Sequence, residues 1–246
     1  MALTGPRSVR IIGPGRAGLS LGSALDRAGW RVDDVRGRGD DLGDAADGVD
    51  LVVVATPDAA VAEVAQAVRP VPTTVVAHLA GSLTLDVLAP HLRRASVHPL
   101  VPLTDPEAGS ARLRGAPMAV AGDPLARELV TALGGRVIEV DDADRAAYHA
   151  AACIAANHLV ALMGQVERVA GTVGVPLDAY LDLAAAALDD VGRLGPAAAL
   201  TGPAARGDEA TLGRHRRAVG PSEQTTYDAL AAEAARLAQL RQRGRG

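Results

Sequence analysis

Six histidines, an asparagine set among alanines and a complete absence of lysine define the chemistry open to this 246-residue chain. Without lysine there is no amine to act as acid, base or Schiff-base former. Three places remain. His98 precedes Pro99 at the end of an apolar run; His149 and Asn157 lie eight residues apart in an alanine-rich stretch; Arg206 and Asp208 sit in a segment rich in glycine, proline and threonine. An imidazole titrates near neutral pH and can hand a proton to an atom undergoing reduction. A guanidinium can grip a substrate carboxylate through two parallel N–H groups. Asn157 is costly to bury without partners, so it either meets a ligand or pins a neighbouring backbone. Structural roles stand beside these: His98 as a capping histidine held by Pro99, and Arg206 and Asp208 as a pair that bridges and folds its own loop. His78, followed by Gly81 and Ser82, is a further strand-end histidine that could border a cofactor. On a regular helix His149 and Asn157 are separated by about 80° around the axis and about 12 Å along it. They then share one broad face, suited to the two ends of an extended ligand, with His158 opposite His149.

A second constellation is the run Gly13, Pro14, Gly15, Arg16, Ala17 and Gly18. It matches the G-x-G-x-x-G pattern directly after a strand-like run and before a helical one, the context that gives the motif meaning. The first glycine permits the tight turn, the second lets backbone approach a pyrophosphate, and the third lets helix pack on strand, with the helix N-terminus facing the anion. This predicts a nicotinamide dinucleotide site. The next strand runs into Arg36 and Arg38, with Asp33 and Asp34 inside it. Arginine rather than an acid at the strand end favours the 2′-phosphate of NADP.

These groups need a scaffold, and the periodicity supplies one. The runs Ser8–Ile12, Arg31–Val35, Leu51–Ala55, Thr74–Leu79, Ala95–Leu100 and Met118–Ala121 read as strands, with helical stretches such as Ala17–Ala28 and one starting at Thr56, Pro57 and Asp58. Alternation of strand and helix predicts an α/β Rossmann domain with a mostly parallel sheet over residues 1–141. From Asp142 the strand-like runs stop. Helical patterns cover Ala143–Ala170, Leu177–Leu194 and Ser222–Arg241, predicting an all-helical domain over 142–246, with a Gly-, Pro- and Thr-rich segment Pro196–His215 too varied for a simple linker and a Gly-Arg tail outside the order of the fold.

Composition removes other classes. A net charge of −4, with no basic run beyond Arg214, His215, Arg216 and Arg217, leaves no footprint for nucleic acid. One cysteine, Cys153, excludes an internal disulfide or a cysteine-based zinc site, and its apolar neighbours predict a buried structural thiol. No metal site is expected. No uninterrupted apolar run reaches a membrane span and no signal-like segment opens the sequence, so a cytoplasmic protein away from membranes is expected.

Four stretches together, Gly13–Gly18, Asp50–Asp58 (DLVVVATPD), Ser96–Leu100 (SVHPL) and Ala199–Asp208 (ALTGPAARGD), resemble one family over nearly the whole chain. This is the set of Rossmann-like proteins with a C-terminal helical domain of unknown function. They are similar in plan to ketopantoate reductase, pyrroline-5-carboxylate reductase, prephenate dehydrogenase and the beta-hydroxyacid dehydrogenases. Tyr148-His149 and Asn157-His158 add to its specificity. The resemblance implies an NADPH-dependent oxidoreductase of a small 2-oxo acid, ketopantoate reductase-like, with imine reduction, a prephenate-type dehydrogenase or a non-catalytic NADP sensor as alternatives. It also implies a homodimer formed through the helical domain. Thr56 and Pro57 join the glycine loop and Arg36 in the cofactor site. In the better-known relatives the first long helix of the second domain carries a lysine and, four residues later, an asparagine that polarise the substrate carbonyl. Asn157 matches the asparagine, and Cys153 stands where the lysine would be. The remaining roles fall to His98 or His149 as proton donor and to Arg206, beside Asp208, as carboxylate clamp.

Overall fold

The computed structural model describes residues 5–243, so the tip of the expected Gly-Arg tail lies outside the described residues. The chain divides into two compact units, residues 1–156 and 157–246. The first is a sheet with helices on both faces. It runs β1 (Ser8–Ile12), α1 (Arg16–Arg27), β2 (Arg31–Arg36), β3 (Leu51–Val54), α2 (Val61–Ala67), β4 (Val75–His78), β5 (Arg94–Pro99), α3 (Pro106–Leu113), β6 (Pro117–Gly122), α4 (Leu125–Ala132), β7 (Arg136–Glu139) and α5 (Arg145–Cys153). The strand order is β2-β1-β3-β4-β5-β6-β7, parallel except for the β5–β6 pair. The alternating sequence pattern thus reads correctly as a mostly parallel Rossmann-like sheet. One strand goes unread in the sequence: β7 is four residues long with charges at both ends, too short and too polar to show a periodicity.

β1, β3 and β4 are buried at every position because both faces are covered. Side chains alternate between two cores. Val9, Ile11, Leu51, Val53 and Val75 pack with Leu21 and Leu25 of α1 and Leu129 of α4. Ile12, Val52, Val54 and Val76 pack on the opposite face with Val61 and Ala65 of α2. With no phenylalanine, close approach does the filling. A Cβ on Gly18 of α1 would lie 3.1 Å from Ile11 Cγ2, and one on Gly22 3.0 Å from Ile11 Cδ1.

The second unit is helical, as expected: α6 (Leu159–Gly171), α7 (Leu177–Leu194), α8 (Pro196–Ala199), α9 (Gly202–Arg206), α10 (Glu209–Ala218) and α11 (Pro221–Arg243). The segment 196–215 falls in three helices, with Leu200 and Thr201 between α8 and α9 and Gly207 and Asp208 between α9 and α10. Arg168 of α6 forms a forked ion pair with Glu223 of α11 at 2.8 and 3.0 Å. His215 of α10 meets the Tyr227 hydroxyl at 2.9 Å. The boundary after Ala156 differs from the one expected after residue 141, because α5 packs with the sheet unit although its sequence reads as helical-domain texture.

Between α5 and α6 the chain makes a π turn, Ile154–His158. The whole run Asp142–Gly171 is, among the described residues, one helical element long and apolar enough by length and composition to cross a membrane. Asn157 and His158 split the sequence into shorter apolar runs, and the helix joins them.

Candidate functional site

The first unit builds a nucleotide cradle where β1 meets α1. Gly13 has φ 120°, and a Cβ there would stand 2.6 Å from the Ala55 carbonyl oxygen at the end of β3. Only glycine fits. Gly15, by contrast, faces open space, with nothing within 4 Å of an added Cβ. It is the N-cap of α1 and no side chain caps it, so the first-turn N–H groups of α1 are free to meet an anion. Thr56, beside Gly13, has a buried hydroxyl without a partner. A tight turn, an open second glycine, an uncapped helix end and an orphaned hydroxyl together fit a dinucleotide pyrophosphate.

At the end of β2 the arginines divide. The Arg36 amide region closes on the cradle, its carbonyl accepting from the Gly13 N–H at 2.8 Å. Its guanidinium is engaged with Asp44 and Asp34 and donates to the Asp41 carbonyl at 2.7 Å. These carboxylates, Asp44 foremost, raise its pKa further. Asp33 and Asp34 both pair with Arg10, a buried arginine on β1. Successive strand residues normally face opposite ways. Here a register shift between Val9 and Ile11, opposite Val32 and Val35, lets both acids reach one guanidinium. Arg38 is exposed and makes no ion pair among the described residues.

A second cluster lies at the carboxyl ends of β4 and β5, where open α/β sheets bind ligands. His98 Nδ1 and the Tyr148 hydroxyl are 2.7 Å apart. The His98 and His149 rings meet edge to face with centroids 5.6 Å apart. Gly81, in the turn after β4, lies against both: a Cβ there would be 2.9 Å from His98 Cε1 and Nε2 and would collide with His149. One turn along α5 from His149, Cys153 Sγ is 3.9 Å from its Nε2. Cys153 is half-exposed, which corrects the expected buried thiol. His78, at the end of β4, is fully buried with both ring nitrogens unpartnered, as is the hydroxyl of its β5 neighbour Ser96.

Burial sets the protonation of this cluster. It pushes His98 down to about 4, helped by His149 and Arg145, and His78 down to about 4, helped by Arg145. Both rings are therefore neutral at pH 7, and His98 does not titrate near neutrality as its residue type alone suggests. Burial pushes the Tyr148 phenol up to about 12, opposed by Arg145. The pair is a neutral hydroxyl on a neutral imidazole.

Tyr148 and Arg145 are the residues sequence reasoning left without a chemical role. The Tyr-His dipeptide was a signal for the first. Nothing in the sequence announces that Arg145 is buried.

The other candidates belong to the second unit or its edge. Asn157 and Arg206 are exposed, and neither side chain has a hydrogen-bond partner among the described residues. Asp208 is an N-cap: its carboxylate accepts from the Thr211 N–H at 3.0 Å and the Thr211 hydroxyl at 2.7 Å, and these bonds lower its pKa. Among the described residues Asp208 forms no ion pair with Arg206. The π turn also removes the regular spacing between His149 and Asn157, so the 80° separation of an uninterrupted helix does not apply. No group of three or more His, Cys, Asp or Glu that could hold a metal occurs among the described residues.

Residues 117–234 match the family model described as "Domain of unknown function (DUF2520)". No curated protein sequence matches the chain. Among solved structures, the chain is similar to a Bacteroides fragilis protein provisionally named an NADP oxidoreductase, with 22% identity and TM-score 0.78 over 94% of this chain and 98% of that one. It is similar to the reductive aminase of Aspergillus terreus solved with NADPH and ethyl levulinate, with 18% identity and TM-score 0.68 over 96% and 98%. It is also similar to 1-pyrroline-5-carboxylate reductase of Streptococcus pyogenes, with 14% identity and TM-score 0.60 over 93% and 98%. At these identities the likeness is one of fold.

Proposed function

We propose that this chain, which carries the DUF2520 domain on a Rossmann-like architecture, is an NADPH-dependent reductase of a small carbonyl or imine substrate. The observation that supports it most is the 2.7 Å contact between Tyr148 and His98, in the same unit as a glycine cradle fitted to a dinucleotide. The bound nicotinamide nucleotide would supply the hydride. Gly13, Gly15 and the first turn of α1 would hold its pyrophosphate, with Thr56 and Pro57 beside it and arginine from the end of β2 on the 2′-phosphate. Tyr148 gives its hydroxyl proton to the oxygen or nitrogen that accumulates charge as the adjoining carbon is reduced. His98, neutral at working pH, then returns a proton to Tyr148 from its Nδ1–H while its Nε2 takes one from water.

A 2-oxo acid such as ketopantoate is the first substrate class. The reductive aminase and pyrroline-5-carboxylate reductase among the similar folds make cyclic and acyclic imines the second. The half-exposed thiol of Cys153 fits a reducing compartment such as the cytoplasm. A panel of 2-oxo acids and imines assayed by NADPH oxidation tests the reading. The Tyr148→Phe variant should lose on the order of 10²-fold in kcat with NADPH affinity retained. Undiminished turnover in the folded variant rules out Tyr148 as donor.

We also propose a homodimer through the helical unit. Among the described residues from 157 onward the only buried apolar side chains are Ala170 and Ala238, while Leu181, Leu183, Leu188 and Leu194 of α7 are exposed. An apolar groove of about 660 Å³, lined by Leu162, Val166, Val169, Leu212, Tyr227 and Leu230 among others, lies in the same unit. A unit of this size needs a core. A second copy offers both a groove and a leucine-bearing helix face to its twin, the self-complementarity that a two-fold interface requires.

A further inference from the structure

Arg145 opens α5 with none of its surface exposed. Its neighbours do not use it up. Nη1 donates to the Gly81 carbonyl at 3.2 Å. Nε stands 3.3 Å from Asp142 Oδ1 without forming a hydrogen bond, and Nη2 has no partner. The other Asp142 oxygen accepts the Leu85 N–H at 3.0 Å. The turn 81–85 after β4 is therefore tied at both ends to the residues that begin α5. A buried guanidinium with unspent donors is costly, and one half-exposed carboxylate does not offset that cost. The charge acts on a defined set of groups: Tyr148 on α5, His78 on β4 and His98 on β5, with Asp142 ahead of α5 as its own counter-charge and Asp58 ahead of α2 acting on the two imidazoles. A cation in that position favours negative charge on the Tyr148 oxygen and opposes protonation of both imidazoles.

We propose that Arg145 is the positioning and charge-balancing residue of the proton donor. It holds the Gly81 turn against the His98 and His149 rings, and its unspent guanidinium stabilises the negative charge left on Tyr148 Oη when the hydroxyl proton departs. The inference rests on the reading of Tyr148 as donor. The balance is complete: the substrate carbon gains a hydride and its heteroatom the Tyr148 proton, and the phenolate regains a proton from water through His98. A residue that only braced the turn would leave the acidity of Tyr148 unchanged on neutral substitution.

Tyr148 can be replaced in the full-length protein by a ring-fluorinated tyrosine and its titration followed by fluorine NMR. In Arg145→Gln and Arg145→Met the phenol should titrate about one pH unit or more higher, a tenfold loss of acidity. Arg145→Lys, which keeps the charge, should restore it to within a few tenths of a unit. Unchanged titration in a folded neutral variant overturns the proposal. Asp142→Asn, which spares the arginine and keeps an acceptor for Leu85, gives a second reading if the neutral variants fail to fold. Removing the counter-charge should lower the Tyr148 titration, and no change there is equally fatal. The fluorine signal is read without turnover, so it bears on Arg145 even if Tyr148→Phe shows that Tyr148 is not the donor.

Discussion

Gly81 and His98 stand so close that a β-carbon on the glycine would lie 2.9 Å from Cε1 and Nε2 of the imidazole. His98 Nδ1 is also held by the Tyr148 hydroxyl at 2.7 Å, so moving the ring disturbs that contact. Gly81→Ala should leave the sheet unit folded, displace the His98 ring and cost on the order of 10²-fold in kcat, the scale expected for a misplaced catalytic group. Circular dichroism, NADPH titration and turnover together check this. Full activity would mean that the His98 position is not used.

Arg36 is spent on Asp34 and Asp44, whereas Arg38 carries no ion pair among the described residues. NADPH should bind more tightly than NADH. Arg38→Ala should weaken NADPH on the order of tenfold while sparing NADH, the loss of one charge-assisted contact. Arg36→Ala should weaken both, because it frees the 41–44 loop that the guanidinium holds beside the end of β2. Calorimetric titration of both nucleotides distinguishes these outcomes, and equal affinity for the two in the unsubstituted protein refutes the 2′-phosphate site.

Stability should fall as pH drops from 6.5 towards 4. His78 and His98 each have a native pKa of about 4 against 6.5 in the unfolded chain. Within that window the unfolded state binds more protons, so the free energy of unfolding rises with pH and the full contribution is present only above about 6.5. Urea unfolding at a series of pH values should show this slope, and it should be shallower in His98→Gln. A flat profile between pH 4 and 6.5 contradicts the neutral burial of both rings.

The helical unit should associate through its groove. Val166→Asp and Leu230→Asp place charge in that apolar lining and should convert a dimer to a monomer with a lower midpoint of thermal unfolding. Light scattering at micromolar concentration measures the change. A monomer before substitution disposes of the second copy as occupant.

The sheet and the glycine cradle were legible because their signals are local. β3 is a continuous apolar run, and Gly13 to Gly18 carry their conformational demands in the residue types themselves. Leu177–Leu194 was legible to the residue, ending at Gly195 with φ 78°. What escaped depends on partners distant in sequence. Arg36 read as a phosphate ligand until Asp44, eight residues on, took its guanidinium. Asp208 read as a functional acid, although a following Thr211 makes a cap an equally local reading. Tyr148 gains its role from a histidine 50 residues earlier, and the burial of Arg145 follows from the packing of α5, which its own sequence assigns to the other half of the molecule.

The sheet has two open rims, and both are charged. β2 presents Arg31, Asp33, Asp34 and Arg36 within six residues, with two of these acids locked to Arg10, and β7 has Arg136 and Glu139 at its ends. A strand from another molecule that added to either rim would have to align its own side chains with these charges and break their ion pairs. Strand addition, the usual route by which a half-unfolded α/β protein seeds fibrils, is closed at both sides.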